Sequence, residues 1–484
     1  MPYLLSLLPI LLLVAVSLTK GVKPAVLLGW VVTSGLFFYW GAGPAQYLGA
    51  MGLSLLTTVN ILLIVLGAIF LYTIMRENGL IWQITQSLEQ LHPSKELRFF
   101  VLAFGLTAFF EGVAGFGTPG AIVPLILIAM GFNAVLSVSV VLLFNGLFAL
   151  FGAVGTPLLV GLQVPLNLPA AQLPWLGLLS AAFMSIAGFV VLFWVFRMLK
   201  LDQGELQHRR QMLVLYAFFM VPFLGLAWFA PELATVFAAI AMLGLSVLYL
   251  RQKGTVLNWK PWLPYLLLAL LLLLPKIFSP LKQLLGWELV FGNMFGSGIR
   301  GGIKLLQSPF LPFVIVGLGV ALFLKSKSLH LKEPLGKMGA VFVVLFPSVA
   351  IAQLMIHSGG AQPSMVQHIA MLLSNLGGAF PVFAPFIGVM GAFITGSTTV
   401  SNVVFGPSQL QTALALGTDT SDILALQLVG ASLGNAICLF NIIAAASVAN
   451  IKDYKQVLAA NLWPTLAATL VAGFLGLMYV LVLS

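Results

Sequence analysis

Two short stretches of the 484-residue sequence combine side chains and spacings that could bind ions. The first reads Glu111-Gly112-Val113-Ala114-Gly115-Phe116-Gly117-Thr118-Pro119. Gly112, Gly115 and Gly117 permit unwound backbone and close approach of another group. Thr118 followed by Pro119 reads as a helix N-cap with a first-turn proline. The free N–H groups and positive dipole end of such a helix suit an anion. Glu111 supplies the one carboxyl. In apolar surroundings it must be neutral part of the time or paired, so it is suited to taking up and releasing a proton. The plainer alternatives are a kinked packing seam and a glutamic acid that stays neutral while bonding its neighbours.

The second stretch reads Thr395-Gly396-Ser397-Thr398-Thr399-Val400-Ser401-Asn402. Its six hydroxyl or amide side chains are costly between apolar runs unless they are bonded. Being neutral, they suit a carboxylate with a hydroxyl, or a sodium ion held by hydroxyl and carbonyl oxygens. Ser401 and Asn402 are expected to cap a following half-helix; capping without ligand contact is the alternative. Asn145, then Gly155-Thr156-Pro157, and later Asn435 and Asn441 add polar groups to apolar surroundings. Each is a candidate ligand contact or an interhelical hydrogen bond.

The elements that must hold these residues lie in lipid. The chain is 61% hydrophobic and 7% charged, against about 25% charged in a soluble domain. A helix needs roughly 20 apolar residues to cross about 30 Å of hydrocarbon. The runs are continuous rather than alternating, which implies helices and not a β-barrel. Twelve crossings are expected near 2–19, 24–41, 53–75, 134–153, 172–197, 212–229, 233–250, 261–275, 308–324, 338–356, 423–448 and 457–483. The first 19 residues lack a basic start and a cleavage site, so they read as a transmembrane helix rather than a secretory signal. Regions 98–131 and 381–416 each hold two runs of about a dozen residues around one of the polar stretches, long enough for half a crossing. Both read as re-entrant hairpins.

Charge supports this layout. With the N-terminus outside, only Lys276, Lys282, Arg300 and Lys304 of the 22 lysines and arginines fall outside, as the positive-inside rule requires. Counting either hairpin as a single crossing would spoil that bias. The first hairpin then enters from inside and the second from outside, and two helices follow each. This predicts an all-α polytopic membrane protein with an inverted repeat, an architecture that places substrate near the midplane. It is one transport domain: N-terminal helices over 1–97, a first unit over 98–197, central helices over 198–380 with an external segment at 276–307 that reads as a cap or an interfacial helix, and a second unit over 381–484.

Other chemistries have little support. The lone cysteine, Cys438, rules out a disulfide framework and cysteine clusters. The net charge of +10 is spread over short loops, which points to orientation in the bilayer rather than to nucleic acid. No GxxxxGK[ST] loop occurs. His357 and His368 flank Gly359, Gly360 and Pro363 in an expected external loop and form no HExxH motif. Arg300 and Lys304 are expected to be solvated, with attraction of anions to the outer mouth as the alternative. No enzyme constellation, metal site or cofactor is expected, and a homodimer is compatible with the sequence.

Both stretches also resemble a known family. Glu111-Gly112 with Gly115-Phe116-Gly117 and Thr118-Pro119 is similar to the signature of the bacterial lactate permeases. Phe393-Ile394-Thr395-Gly396-Ser397 with Ser401-Asn402 resembles their second signature. Ser6-Leu7-Leu8-Pro9-Ile10 and Phe151-Gly152-Ala153 with Gly155 and Pro157 add to it, so the resemblance runs along nearly the whole chain. It implies uptake of L-lactate, D-lactate or glycolate with a proton across the inner membrane, with sodium coupling or an ion channel as rival readings. Thr398 stands where family members often carry an acidic residue, and Leu433–Asn441 also departs from the pattern.

Overall fold

The computed structural model describes residues 2–89, 92–115, 117–250, 260–303, 305, 306, 308, 310–326, 328–360 and 362–483. The chain is all-α and polytopic, as its composition demands: in lipid, backbone polar groups must be paired within the segment. Among the described residues, nine helices are long and apolar enough to cross a membrane, and shorter apolar helices accompany them. One of the nine, Gly377–Thr395, is the first arm of the second hairpin; the others fall on expected crossings.

One element order occurs twice. A long wall helix, Pro44–Glu77, leads to a short surface helix, Leu80–Glu89, then to a hairpin over 95–129, a broken helix over 134–166 and a long helix, Leu173–Gln203. The same succession runs through Lys332–His357, Met365–Ser374, a hairpin over 380–416, a broken helix over 420–448 and Lys455–Leu483. The two wall helices pack on each other. The two units interlock reciprocally: the long helix of each packs on the broken helix of the other, and the second arm of each hairpin packs on the far half of the other unit's broken helix.

Both hairpins return to the side they start from. Lys95 Nζ donates to the Gly131 carbonyl at 3.2 Å and lies 4.4 Å from the Phe132 ring centroid, so the ends of the first hairpin touch. In the second, Gln409 donates to Ala384 O at 2.9 Å and Ser401 to Gly388 O at 2.9 Å across antiparallel arms. Three of the four arms are longer than the expected dozen residues, which Thr118–Ala129 matches. The first runs from Lys95 to Val113 through a π-helical stretch, Val101–Leu106, and the last is Thr398–Leu416. The polar stretch at 395–402 does not unwind as a whole, because its side chains bond to neighbouring carbonyls and the helix starts at Thr398.

Three further expectations, two helices and the histidine pair, are corrected, and the external segment takes a definite form. The helices expected at 134–153 and 423–448 are each interrupted, at 149–155 and at 435–438. The external segment is a cap with a short helix, Ser279–Leu284, and two antiparallel strands, β1 Leu289–Phe291 and β2 Gly301–Ile303. The cap is tied to the first wall helix, where Asn60 Nδ2 donates to Gly302 O at 3.0 Å. His357 ends a wall helix, and His368 is buried in Met365–Ser374 against the Trp40 and Tyr3 rings rather than solvated.

Candidate functional site

Each hairpin tip is seated on the break of its own unit's broken helix. Glu111 lies in the last turn of Thr107–Val113 and is 5% exposed. Its Oε1 abuts Gly152, where any Cβ would collide with it, and its Oε2 has no hydrogen-bond partner among the described residues. Gly112 lies against the Val236 backbone, and Gly115 (φ +55°) against Ala153. Gly117 (φ +79°) is the N-cap of Thr118–Ala129, so Thr118 and Pro119 are the first helical residues and Thr118 is not the cap. A glycine that enters the left-handed region turns the chain without a capping side chain. Phe116 lies outside the described residues.

The first break is conformationally strained. Ala153 (φ 43°), Val154 (φ 54°) and Gly155 (φ 73°) are all left-handed, a region that costs an ordinary residue about 1–2 kcal/mol. Thr156 Oγ1 donates to Ala153 O at 2.5 Å and closes the turn. Glu232 presses its Cα and Cβ onto Gly155. Glu232 follows Pro231 in the short turn Pro231–Leu233, and nothing in the sequence around it signals this contact.

At the second tip, Thr395 ends one arm, Gly396 (φ 77°) turns the chain, and Ser397 caps the next arm by accepting from Val400 N at 3.3 Å. The cap is therefore Ser397, not Ser401 or Asn402, which are deeply buried in the following turn. Thr395 donates to Gly391 O at 2.8 Å, and Thr398 to Ala431 O at 3.3 Å. Thr399 is also buried. Asn402 Nδ2 donates to Pro157 O at 3.1 Å, which bonds the second hairpin to the first broken helix. Gln427 donates to Ser401 Oγ at 3.3 Å and to Asn402 Oδ1 at 3.2 Å. Gly396 rests on Cys438 and Phe440 at the second break.

The two broken helices touch where they break. Ser432 Oγ donates to Gly146 O at 2.7 Å, and Gly146 lies against Ala436. Asn145, beside that contact, is 4% exposed and its Oδ1 is unpartnered among the described residues. Asn441 Nδ2 donates to Asn435 Oδ1 at 2.5 Å, and Asn461 Nδ2 to Ala436 O at 2.9 Å. The structure thus gathers Glu111, Gly112, Gly115 and Thr156 at one break and Thr395–Thr399, Asn435 and Asn441 near the other. Asn402 and Gly146 join the two groups. Apart from Glu111 the set is neutral, with helix N-termini at Thr118 and Thr398 that favour negative charge.

A cavity of about 1930 Å³ ends at the first break and its far half, where Val154, Leu159, Val160 and Gln163 form its wall. Glu232, Arg300 and His357 also line it. The loops around it are those that the charge bias puts outside. Neither hairpin tip contributes to its described wall. Among the described residues no three His, Cys, Asp or Glu side chains gather as a metal site.

Comparison with known proteins gives the chain its family. The family model described as L-lactate permease matches residues 2–483. A putative L-lactate permease of Haemophilus influenzae is 28% identical, over 94% of this chain and 93% of its own length. The L-lactate permease of Bacillus subtilis is 24% identical, over 74% of this chain and 73% of its own, and a glycolate permease of Escherichia coli is 25% identical, over 77% and 76%. With a match from one end to the other and a multi-pass helical fold to carry it, this inner-membrane chain belongs to the L-lactate permease family.

Proposed function

We propose that the protein imports a small monocarboxylate of the lactate or glycolate type together with a proton, by alternating access of two inverted units. The observation that carries this reading is Glu111, a buried carboxyl at a hairpin tip, set against Gly152 in the break of a helix whose other side borders the outer cavity. A carboxylate there is costly to keep charged, so the side chain exchanges its proton as the tip's surroundings change. The substrate carboxylate would sit on the half-helix N-termini at Thr118 and Thr398, with Asn145, Asn435 and Asn441 as neutral donors. The printed names of the relatives support the substrate class: they are permeases for L-lactate or glycolate.

Purified protein in liposomes tests the reading. A proton gradient imposed in sodium-free medium is expected to drive accumulation of labelled lactate. Glu111→Gln is expected to abolish that accumulation while leaving lactate–lactate exchange intact. Unchanged gradient-driven uptake by the variant would remove Glu111 from the mechanism. Dependence on sodium at fixed pH would instead move coupling to the hydroxyl-rich second tip.

A further inference from the structure

The outer cavity has a second polar feature, on the two wall helices rather than the hairpins. Gln353, on Lys332–His357, is 1% exposed, and neither its Nε2 nor its Oε1 has a hydrogen-bond partner among the described residues. Thr57, on Pro44–Glu77, is 1% exposed, and its Oγ1 is likewise unpartnered. Both residues belong to the cavity wall, on helices that pack on each other. Buried polar groups are almost always bonded, and an amide unpaired at both ends that shares a cavity wall with a hydroxyl in the same state is unusual. Ala352, the neighbour of Gln353, joins the apolar cluster that includes Val160, Val400, Val403, Val404 and Phe405. Gln353 is therefore one residue from the place where the wall meets the broken helix and the second hairpin.

The chemistry of the pair selects its ligand. A carboxylate only accepts, so it would satisfy Gln353 Nε2 and leave the acceptor Oε1 unpaired. A hydroxyl both donates and accepts, and so matches the amide and Thr57 Oγ1 alike. We propose that Thr57 and Gln353 form a subsite that reads the 2-hydroxyl of a hydroxy acid entering from outside. The subsite rests on the monocarboxylate reading above and adds to it the group that separates lactate from a plain carboxylate.

The test compares lactate with propanoate, which differs by that hydroxyl alone, as substrates of the reconstituted full chain. Gln353→Leu and Thr57→Val keep approximate shape and remove the polar atoms. Each is expected to raise the lactate KM about tenfold, the scale of one lost buried hydrogen bond, while the propanoate KM stays as in the parent. Should Gln353→Leu fail to fold, Thr57→Val carries the same comparison. Parallel losses for both substrates, or unchanged preference for lactate, would overturn the subsite while leaving lactate transport in place. Failure of the unsubstituted protein to take up lactate would overturn the transport reading and the subsite together.

Discussion

Gly155 is the residue on which the first break depends most directly. Its backbone is left-handed, and the Cα and Cβ of Glu232 occupy the space that a side chain would fill. Relief would require moving backbone on the Glu232 side, not a flexible side-chain end. Gly155→Ala is therefore expected to destabilise the protein by about 2 kcal/mol or more, combining left-handed strain with overpacking. Lactate uptake should fall with it. Gly225→Ala, where nothing lies within 4 Å, is the matched control and should leave both unchanged. Thermal unfolding in detergent, measured beside uptake, checks the pair. Glu111 was legible in the sequence because a lone acid among apolar residues is conspicuous. Glu232 was not, since its significance depends on a contact with a residue 77 positions earlier in the chain.

Among the elements, the hairpins were legible and the broken helices were not. Glycine, serine and threonine at 112–118 and 395–402 interrupt apolar runs visibly. At 149–155 the interruption passes through Ala153 and Val154, which look like the middle of any membrane helix. Only the fit against Gly115 on one side and Glu232 on the other imposes the left-handed turn. A different signal was present and went unread. Gly430 and Gly434 form a GxxxG pair, the spacing that lets two membrane helices approach closely. Gly430 packs on the Pro385 carbonyl and Gly434 on Val389 O, at 2.6 Å from where a Cβ would stand. This seam joins the second broken helix to the first arm of the second hairpin, and Gly388 completes it against Gln427 O and Ala431 N. Because backbone meets backbone, there is no side chain to rotate away. Gly430→Ala should cost about 3 kcal/mol and sharply lower the yield of folded protein. Gly244→Ala, on an open face, should not.

At the scale of the whole molecule, the repeated element order and the charge bias bear on the same question from independent directions. Element order comes from where helices start and stop; charge bias comes from lysine and arginine in the loops. Each unit has a wall helix, a surface helix, a hairpin, a broken helix and a long helix, yet the charge count sends the first hairpin in from one side and the second from the other. In the proposed transport cycle such units, touching beside their breaks through Gly146 and Ala436, would exchange roles when the molecule opens to the opposite side. On that proposal the cavity described above belongs to the outward-open form. Sidedness is directly measurable, because the only cysteine, Cys438, is buried and can be replaced by alanine. Single cysteines at Ala171, Gly360 and Ala415 should react with a membrane-impermeant thiol reagent in intact cells. Cysteines at Asn133, Gln203 and Ser328 should react only after permeabilisation. Asn133 is the discriminating position: it follows the first hairpin, so labelling from outside would mean that residues 95–129 cross the membrane once. In that case every later loop before the second hairpin would change sides, and the two units would no longer be inverted.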